Sequence, residues 1–218
     1  HAGLEAGLLA EVLQGQAVHD GAEHAHVVGL GAVHAGLGEL RAAEMLAMAS
    51  VLELHDLTLL DFPDSGLKEM DPRRLEAAIR AHVLRHRPKI LVTYPVHGIS
   101  GFHDHLVTHA SVKRVYASLQ GRPGRCMERL AFFTLSAEQA EHASGAHRLQ
   151  GSTDSEIDCR MTANPDDMAR WRSALDCYQS YGEVIQATGI KSSLDETVCY
   201  EFYRETYQPP VESIDEGL

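Results

Sequence analysis

Three strand-length apolar runs, at 57–62, 89–94 and 130–135, alternate with segments of helical periodicity. That alternation narrows the fold more than any other feature of the chain. Strands joined through helices form crossover units, and such units build a mainly parallel sheet covered on both faces. The expectation is therefore α/β: a Rossmann-like three-layer sandwich with a mainly parallel sheet, in one domain spanning 1–218. Ahead of the first run, Leu40, Ala43, Met45, Leu46 and Ala49 recur at helical spacing towards Leu52. Between the first two runs, Asp71-Pro72 offers an N-cap and an N1 proline for a helix ending near His86. After the second, a polar Gly/His loop precedes a helix to Leu119, with Leu106, Ala110, Val112 and Val115 expected to face inward. Ligands bind beyond the carboxyl ends of the strands in open sheets of this kind, so the loops at 63–66 and 95–105 belong on one side of the molecule. The last eight residues read as a mobile tail.

The first forty residues differ from the rest. They contain no Lys, Arg, Ser, Thr, Pro, Cys, Met or aromatic residue, and Gly29, Gly31, Gly36 and Gly38 interrupt any long helix. Positions 5–13 suit a helix and 26–30 a short strand. The segment is anomalous or incomplete as an N-terminal unit, and its composition also fits translation in the wrong frame of a GC-rich gene.

A net charge of −12 argues against a nucleic-acid or anionic-membrane surface, since either partner requires basic clusters. No apolar run has the length of a membrane span. Cys126, Cys159, Cys177 and Cys199 are widely spaced and form no Cys-x-x-Cys pair, which fits reduced thiols in a cytoplasmic protein. Self-association is left open.

Chemistry concentrates in one loop. Val96-His97-Gly98-Ile99-Ser100-Gly101-Phe102-His103-Asp104-His105 places three histidines and an aspartate between a buried strand and a helix, and His105 and His109 lie four apart on one helical face. That spacing suits zinc, whose catalytic sites combine imidazole or carboxylate ligands with an open position for water. Asp104 could fix a histidine tautomer as an acceptor. The bland alternative makes Asp104 a helix N-cap and leaves the histidines solvated.

An ordered set of motifs extends this loop: Arg41-x-x-Glu44, LTLLDFPDSGL at 57–67, KILVTYP at 89–95 and GISGFHDH at 98–105. Together they resemble the LmbE/PIG-L family of zinc-dependent N-deacetylases over roughly 80 residues, with an echo in the helix near 166–181 and the Glu201-Phe202 strand. The resemblance implies a metal-dependent hydrolase that removes an N-acetyl group from an amino sugar or glycoconjugate. The cofactor would be Zn2+, with another divalent metal compatible, and the substrate a small N-acetylated sugar or conjugate. It implies His105 as metal ligand, Asp104 at the family's aspartate and, with His103, among the catalytic residues, and Arg41 and Asp64 at the substrate.

Two departures accompany the resemblance. Phe102 stands where the family has a histidine, and His103, where the family has proline, is the candidate to substitute from one position along. The family's Ala-His-Pro-Asp-Asp-Glu, which supplies two ligands and the base, has no counterpart in 1–40. His19-Asp20 and Glu23-His24-Ala25-His26 lack the strand-then-proline context. Ala163-Asn164-Pro165-Asp166-Asp167 is a decoy, better read as an N-cap, an N1 proline and two acids at the positive end of a helix. The competing function is a catalytically inactive relative serving as a carbohydrate- or partner-binding module. A nucleotide-binding reading fails because Gly29-x-Gly31 opens no helix with a further glycine in place.

Overall fold

The computed structural model describes residues 26–30, 37–63, 65–121, 126–143, 148–192 and 194–218. Strand β1 (His26–Leu30) pairs in parallel with β2 (Asp56–Leu60), and helix α1 (Leu37–Val51) connects them. Helix α2 (Pro72–His86) follows, then β3 (Ile90–Thr93), α3 (His103–Leu119), β4 (Arg129–Thr134) and the short α4 (Ala137–Ala143). The chain continues through β5 (Cys159–Thr162), α5 (Pro165–Asp176), α6 (Gly182–Thr188) and β6 (Thr197–Phe202).

The α/β expectation holds, with mixed strand pairing. The four-stranded sheet has the order β3-β4-β6-β5, in which β3 and β4 are parallel while β6 runs antiparallel to both neighbours. The mainly parallel sheet expected from the sequence thus gives way in its C-terminal half. Parallel pairing needs a crossover, and β6 instead enters its slot from the far end, with Thr134 opposite Cys199.

Helices cover both faces. Met45 and Met48 of α1 and Trp171, Ala174 and Leu175 of α5 pack with Ala131, Phe133, Met161 and Tyr200 on one side. Leu75, Ile79 and Val83 of α2 and Val112 and Val115 of α3 pack with Leu130 and Phe132 on the other. Neighbouring strand residues alternate between faces, so β4 supplies both cores and every one of its residues is buried. The stripe on α1 runs through Met45 and Met48 and continues to Leu52 just past its end, leaving Leu40 and Leu46 exposed. On α3, His109 rather than Ala110 turns inward beside Val112.

Local chemistry explains the helix starts. Asp71 accepts the Arg73 N–H with Pro72 in the first turn of α2, and Asn164 accepts from Asp166 and Asp167 at the start of α5, as the sequence predicts. The helix α3 differs: its N-cap is Phe102, and Asp104 lies inside the first turn, which overturns the N-cap assignment for Asp104.

The C-terminal residues are fixed, contrary to the expectation of a mobile tail. Val211 N–H donates to Asp158 O and Arg160 N–H to Val211 O, both at 2.9 Å, and Ile214 is buried. Arg129, with no exposed side-chain surface, holds this segment. It grips Glu205 through Nε at 3.0 Å and Nη2 at 2.6 Å, and its Nη1 donates to Ile214 O at 2.6 Å. The guanidinium also stacks on Phe202, 4.1 Å from the ring centroid. Trp171, Tyr178 and Tyr200 are buried, and Tyr200 lies in β6 inside the sheet rather than at an edge. Among the described residues no helix is long and apolar enough to cross a membrane.

Candidate active site

The loop between β3 and α3 leaves the carboxyl end of β3 and turns sharply. Gly98, Ile99 and Gly101 all have positive φ, at 64°, 60° and 71°. Only glycine takes that conformation freely, so Ile99 carries strain that the surrounding contacts must offset. Gly98 is also needed for space, because a Cβ there would lie 3.0 Å from His105 Cβ.

His105 is buried at the first turn of α3, stacked on Tyr94 with ring centroids 4.0 Å apart. Its Nδ1 lies 2.9 Å from Gly98 O and 3.1 Å from Ser100 Oγ. A carbonyl can only accept, so Nδ1 carries the proton and the Nε2 lone pair is left for a ligand. One turn later His109 repeats the arrangement, with Nδ1 at 2.7 Å from Tyr94 O. Burial pushes the pKa of both rings below the usual histidine value, and the backbone carbonyls only partly oppose it. His97 is lowered for the same reason, with nearby His109 adding to the effect. All three are therefore neutral at pH 7, the state a metal-binding imidazole requires.

Asp104 points elsewhere. Its Oδ1 accepts the Leu67 N–H at 3.2 Å, tying the first turn of α3 to the turn Leu67–Glu69 that follows β2. The carboxylate thus joins the two strand-end loops that the sequence places on one side of the molecule. His103 is exposed. Arg41 lies over the Tyr181 ring, 4.6 Å from its centroid, while its companion Glu44 is buried and accepts both the backbone N–H and the hydroxyl of Ser180, at 2.7 and 2.6 Å. The Arg-x-x-Glu pair therefore anchors the 178–181 turn. Asp64 lies outside the described residues. Of the expected site residues, His103, Asp104 and His105 share one helical turn, and Arg41 sits against a different element.

A buried polar group missed in the sequence adjoins the loop. Ser152 Oγ meets Thr134 Oγ1 at 2.6 Å, donates to Glu201 and lies 3.4 Å from His97 Nε2. These partners are 18, 49 and 55 residues from Ser152, and no local pattern marks the serine. Beside Thr134, a cavity of about 380 Å³ is lined by Ser136, Gln139, Arg160 and Asp195 among others, and His103–His105 do not contribute to it.

His105 fits one position of a catalytic zinc, by ring tautomer and by burial. Among the described residues no set of three His, Cys, Asp or Glu is placed to hold a metal ion. The described residues thus offer one imidazole with a lone pair free for a ligand and do not complete a metal site by themselves.

Comparison with known proteins places this geometry. Residues 8–116 match the PIG-L family, described as GlcNAc-PI de-N-acetylase, so most of the compositionally unusual N-terminal segment falls within the matched region. A curated relative, 1D-myo-inositol 2-acetamido-2-deoxy-alpha-D-glucopyranoside deacetylase of Thermobifida fusca, is 21% identical over 206 residues, covering 79% of this chain and 71% of the relative. Among solved structures, the conserved protein TT1542 of Thermus thermophilus has a TM-score of 0.62 at 17% identity, covering 98% of this chain and 94% of that one. GalB, the 4-carboxy-2-hydroxymuconate hydratase of Pseudomonas putida, has a TM-score of 0.58 at 14% identity, covering 92% and 93%. At these identities the likeness shows the fold and not the reaction. With half of its length matched, including the strand-end loops at 63–66 and 95–105, the chain belongs to the PIG-L family of deacetylases.

Proposed function

We propose that the chain is a metal-dependent N-deacetylase, hydrolysing the acetamide of an amino sugar or glycoconjugate. The observation that carries the reading is the His105 ring: buried beyond the carboxyl end of β3, with its proton held on Nδ1 by Gly98 O. A bound zinc would supply polarisation of the amide carbonyl and a water acidified towards neutral pH. His105 is the ligand this chain contributes from α3, and the stacked Tyr94 ring restricts its rotation. We assign proton transfer to Asp104 and His103. Asp104 follows from the family's aspartate at this position, its Oδ1 already accepting the Leu67 N–H, and exposed His103 can exchange protons with substrate and solvent. Arg41 and Asp64 are assigned to the substrate, Arg41 presenting its guanidinium against Tyr181. Free cysteines, two of them buried, suit a reducing compartment, and we place the protein in the cytoplasm.

The test is release of free amine from N-acetylglucosaminyl-inositol and related N-acetylglucosaminides by the full chain, with and without added Zn2+, and by His105→Ala. Turnover that His105→Ala abolishes is the expected result. Full activity in that variant would place the chemistry elsewhere. Tight sugar binding without turnover, insensitive to chelators, would make the chain a binding module, which Phe102 at the family's histidine position favours.

A further inference from the structure

A half-buried polar chain, centred on buried Ser152, runs from the antiparallel half of the sheet to the histidine loop, and the chemistry above does not use it. It starts on β6, where the Glu201 carboxylate accepts the Ser152 hydroxyl hydrogen. Ser152 Oγ, buried with its residue only 2% exposed, in turn faces His97 Nε2 at 3.4 Å. On the other edge of that imidazole, the Ile99 N–H donates to Nδ1 at 3.1 Å.

Proton directions along this chain are set by its ends. A backbone N–H can only donate, so His97 Nδ1 holds a lone pair and the neutral ring carries its proton on Nε2. That Nε2–H has Ser152 Oγ as acceptor, and the serine passes its own hydrogen to Glu201. His97 therefore has the opposite tautomer to His105.

The backbone braces the same contact. Gln150 N–H donates to Ile99 O at 2.7 Å, and Ser152 N–H donates to Leu135 O at 2.8 Å. Gly151 between them leaves no space for a side chain, since a Cβ would lie 2.4 Å from Ser136 O. Residues 150–152 thus press against the end of β4 on one side and against the 97–99 turn on the other. Within that turn, Gly98 O is the acceptor for His105 Nδ1 at 2.9 Å.

We propose that Glu201 is a positioning residue for His105: through Ser152 and His97 it locks the 97–99 turn, so that Gly98 O holds the His105 proton on Nδ1 and leaves Nε2 for a ligand. The proposal rests on the deacetylase reading only for what His105 then does. Groups at this remove from a metal ligand fix its tautomer and ring orientation, and their loss typically lowers metal affinity or activity about 10- to 100-fold.

The experiment uses the full chain labelled with 15N-histidine, with imidazole tautomers read by long-range 1H–15N correlation and amide exchange followed at Ile99 and Gln150. The variants are Ser152→Ala, Glu201→Leu and the isosteric Glu201→Gln, which keeps an acceptor oxygen for Ser152. In the parent chain, His97 is expected as the Nε2–H tautomer and His105 as Nδ1–H. Ser152→Ala and Glu201→Leu should mix the His105 tautomers and speed Ile99 exchange at least tenfold, lowering kcat about 10- to 100-fold with KM little changed. Glu201→Gln should restore most of each readout. Unchanged His105 tautomer and Ile99 exchange in Ser152→Ala would overturn the proposal, whatever the activity. A parent chain with the expected tautomers but no deacetylation would instead refute the functional reading and leave the positioning intact.

Discussion

Gly98→Ala tests whether the turn of the loop or its contact with His105 matters for activity. The substitution forces an L-residue to φ 64° and places a Cβ 3.0 Å from His105 Cβ and 3.1 Å from Leu106 Cδ2. Left-handed backbone costs an alanine about 1–2 kcal/mol, partly offset by the smaller entropy of its unfolded chain, so a net loss of about 1 kcal/mol is expected. For a domain of this size that corresponds to a fall of about 2–4 °C in Tm. The contact adds a separate effect, because His105 must retreat by a few tenths of an ångström. With a 1 Å misplacement at a reacting centre worth about 100-fold, kcat/KM should fall about 3- to 10-fold. Gly101→Ala is the control: its φ is 71°, but its nearest neighbour would be Gln150 Nε2 at an ordinary 3.5 Å. Both variants should lose similar stability in urea, followed by fluorescence of the buried Trp171, the sole tryptophan. Only Gly98→Ala should lose activity. Equal activity losses in the two would refute the assignment of the effect to His105.

Arg129→Met removes a buried guanidinium from Glu205 and Ile214 O, and should lower unfolding free energy by about 3 kcal/mol, the low end for a broken buried pair because Glu205 retains some water. A shift in urea midpoint worth less than about 1 kcal/mol at constant m would show that the C-terminal segment holds without it. Gly151→Ala, with its Cβ 2.4 Å from Ser136 O, should detach 150–152 from β4, visible as fast amide exchange at Ser152; native protection would contradict the clamp. Acid should destabilise the fold through His97, His105 and His109, whose folded pKa values lie below the unfolded 6.5. Between the two values the unfolded chain takes up protons that the folded one does not, so stability is full above pH 6.5 and lost as pH falls towards the folded values. Each ring adds a slope of up to about 1.4 kcal/mol per pH unit, and a flat urea midpoint from pH 7 to 5 would sink the argument.

Elements whose signal is local were legible in the sequence. Asp71-Pro72 and Asn164-Pro165 mark helix starts because the cap, the fixed proline φ and the first turn are consecutive residues. The strand at His26–Leu30 was also recognisable, although its neighbours in 1–25 lie outside the described residues. The antiparallel insertion of β6 was not legible, since an apolar strand carries no mark of its direction and only its partner decides. The fixed C-terminus was missed for a related reason. Its polar, acidic residues resemble a tail, and what orders them is Arg129, 85 residues from its acceptor at Ile214.

The site was legible in its residue types but not in their division of labour, and helical geometry explains the difference. Successive residues of a helix point about 100° apart. Starting α3 at His103, with Phe102 as N-cap, therefore sends three adjacent side chains in three directions: His103 to solvent, Asp104 to the Leu67 N–H, and His105 into the protein. A start two residues later would have left Asp104 in the loop and broken the link between the two strand ends. The i, i+4 spacing of His105 and His109 gives both rings one face, but their tautomers come from Gly98 O and Tyr94 O, themselves four residues apart in the loop. That loop runs back along the helix in matching steps, so shortening it by one residue should cost both imidazoles their acceptors together. Placement of His105 is thus a property of loop and helix jointly, which is why a histidine count points to the loop and only the backbone assigns its protons.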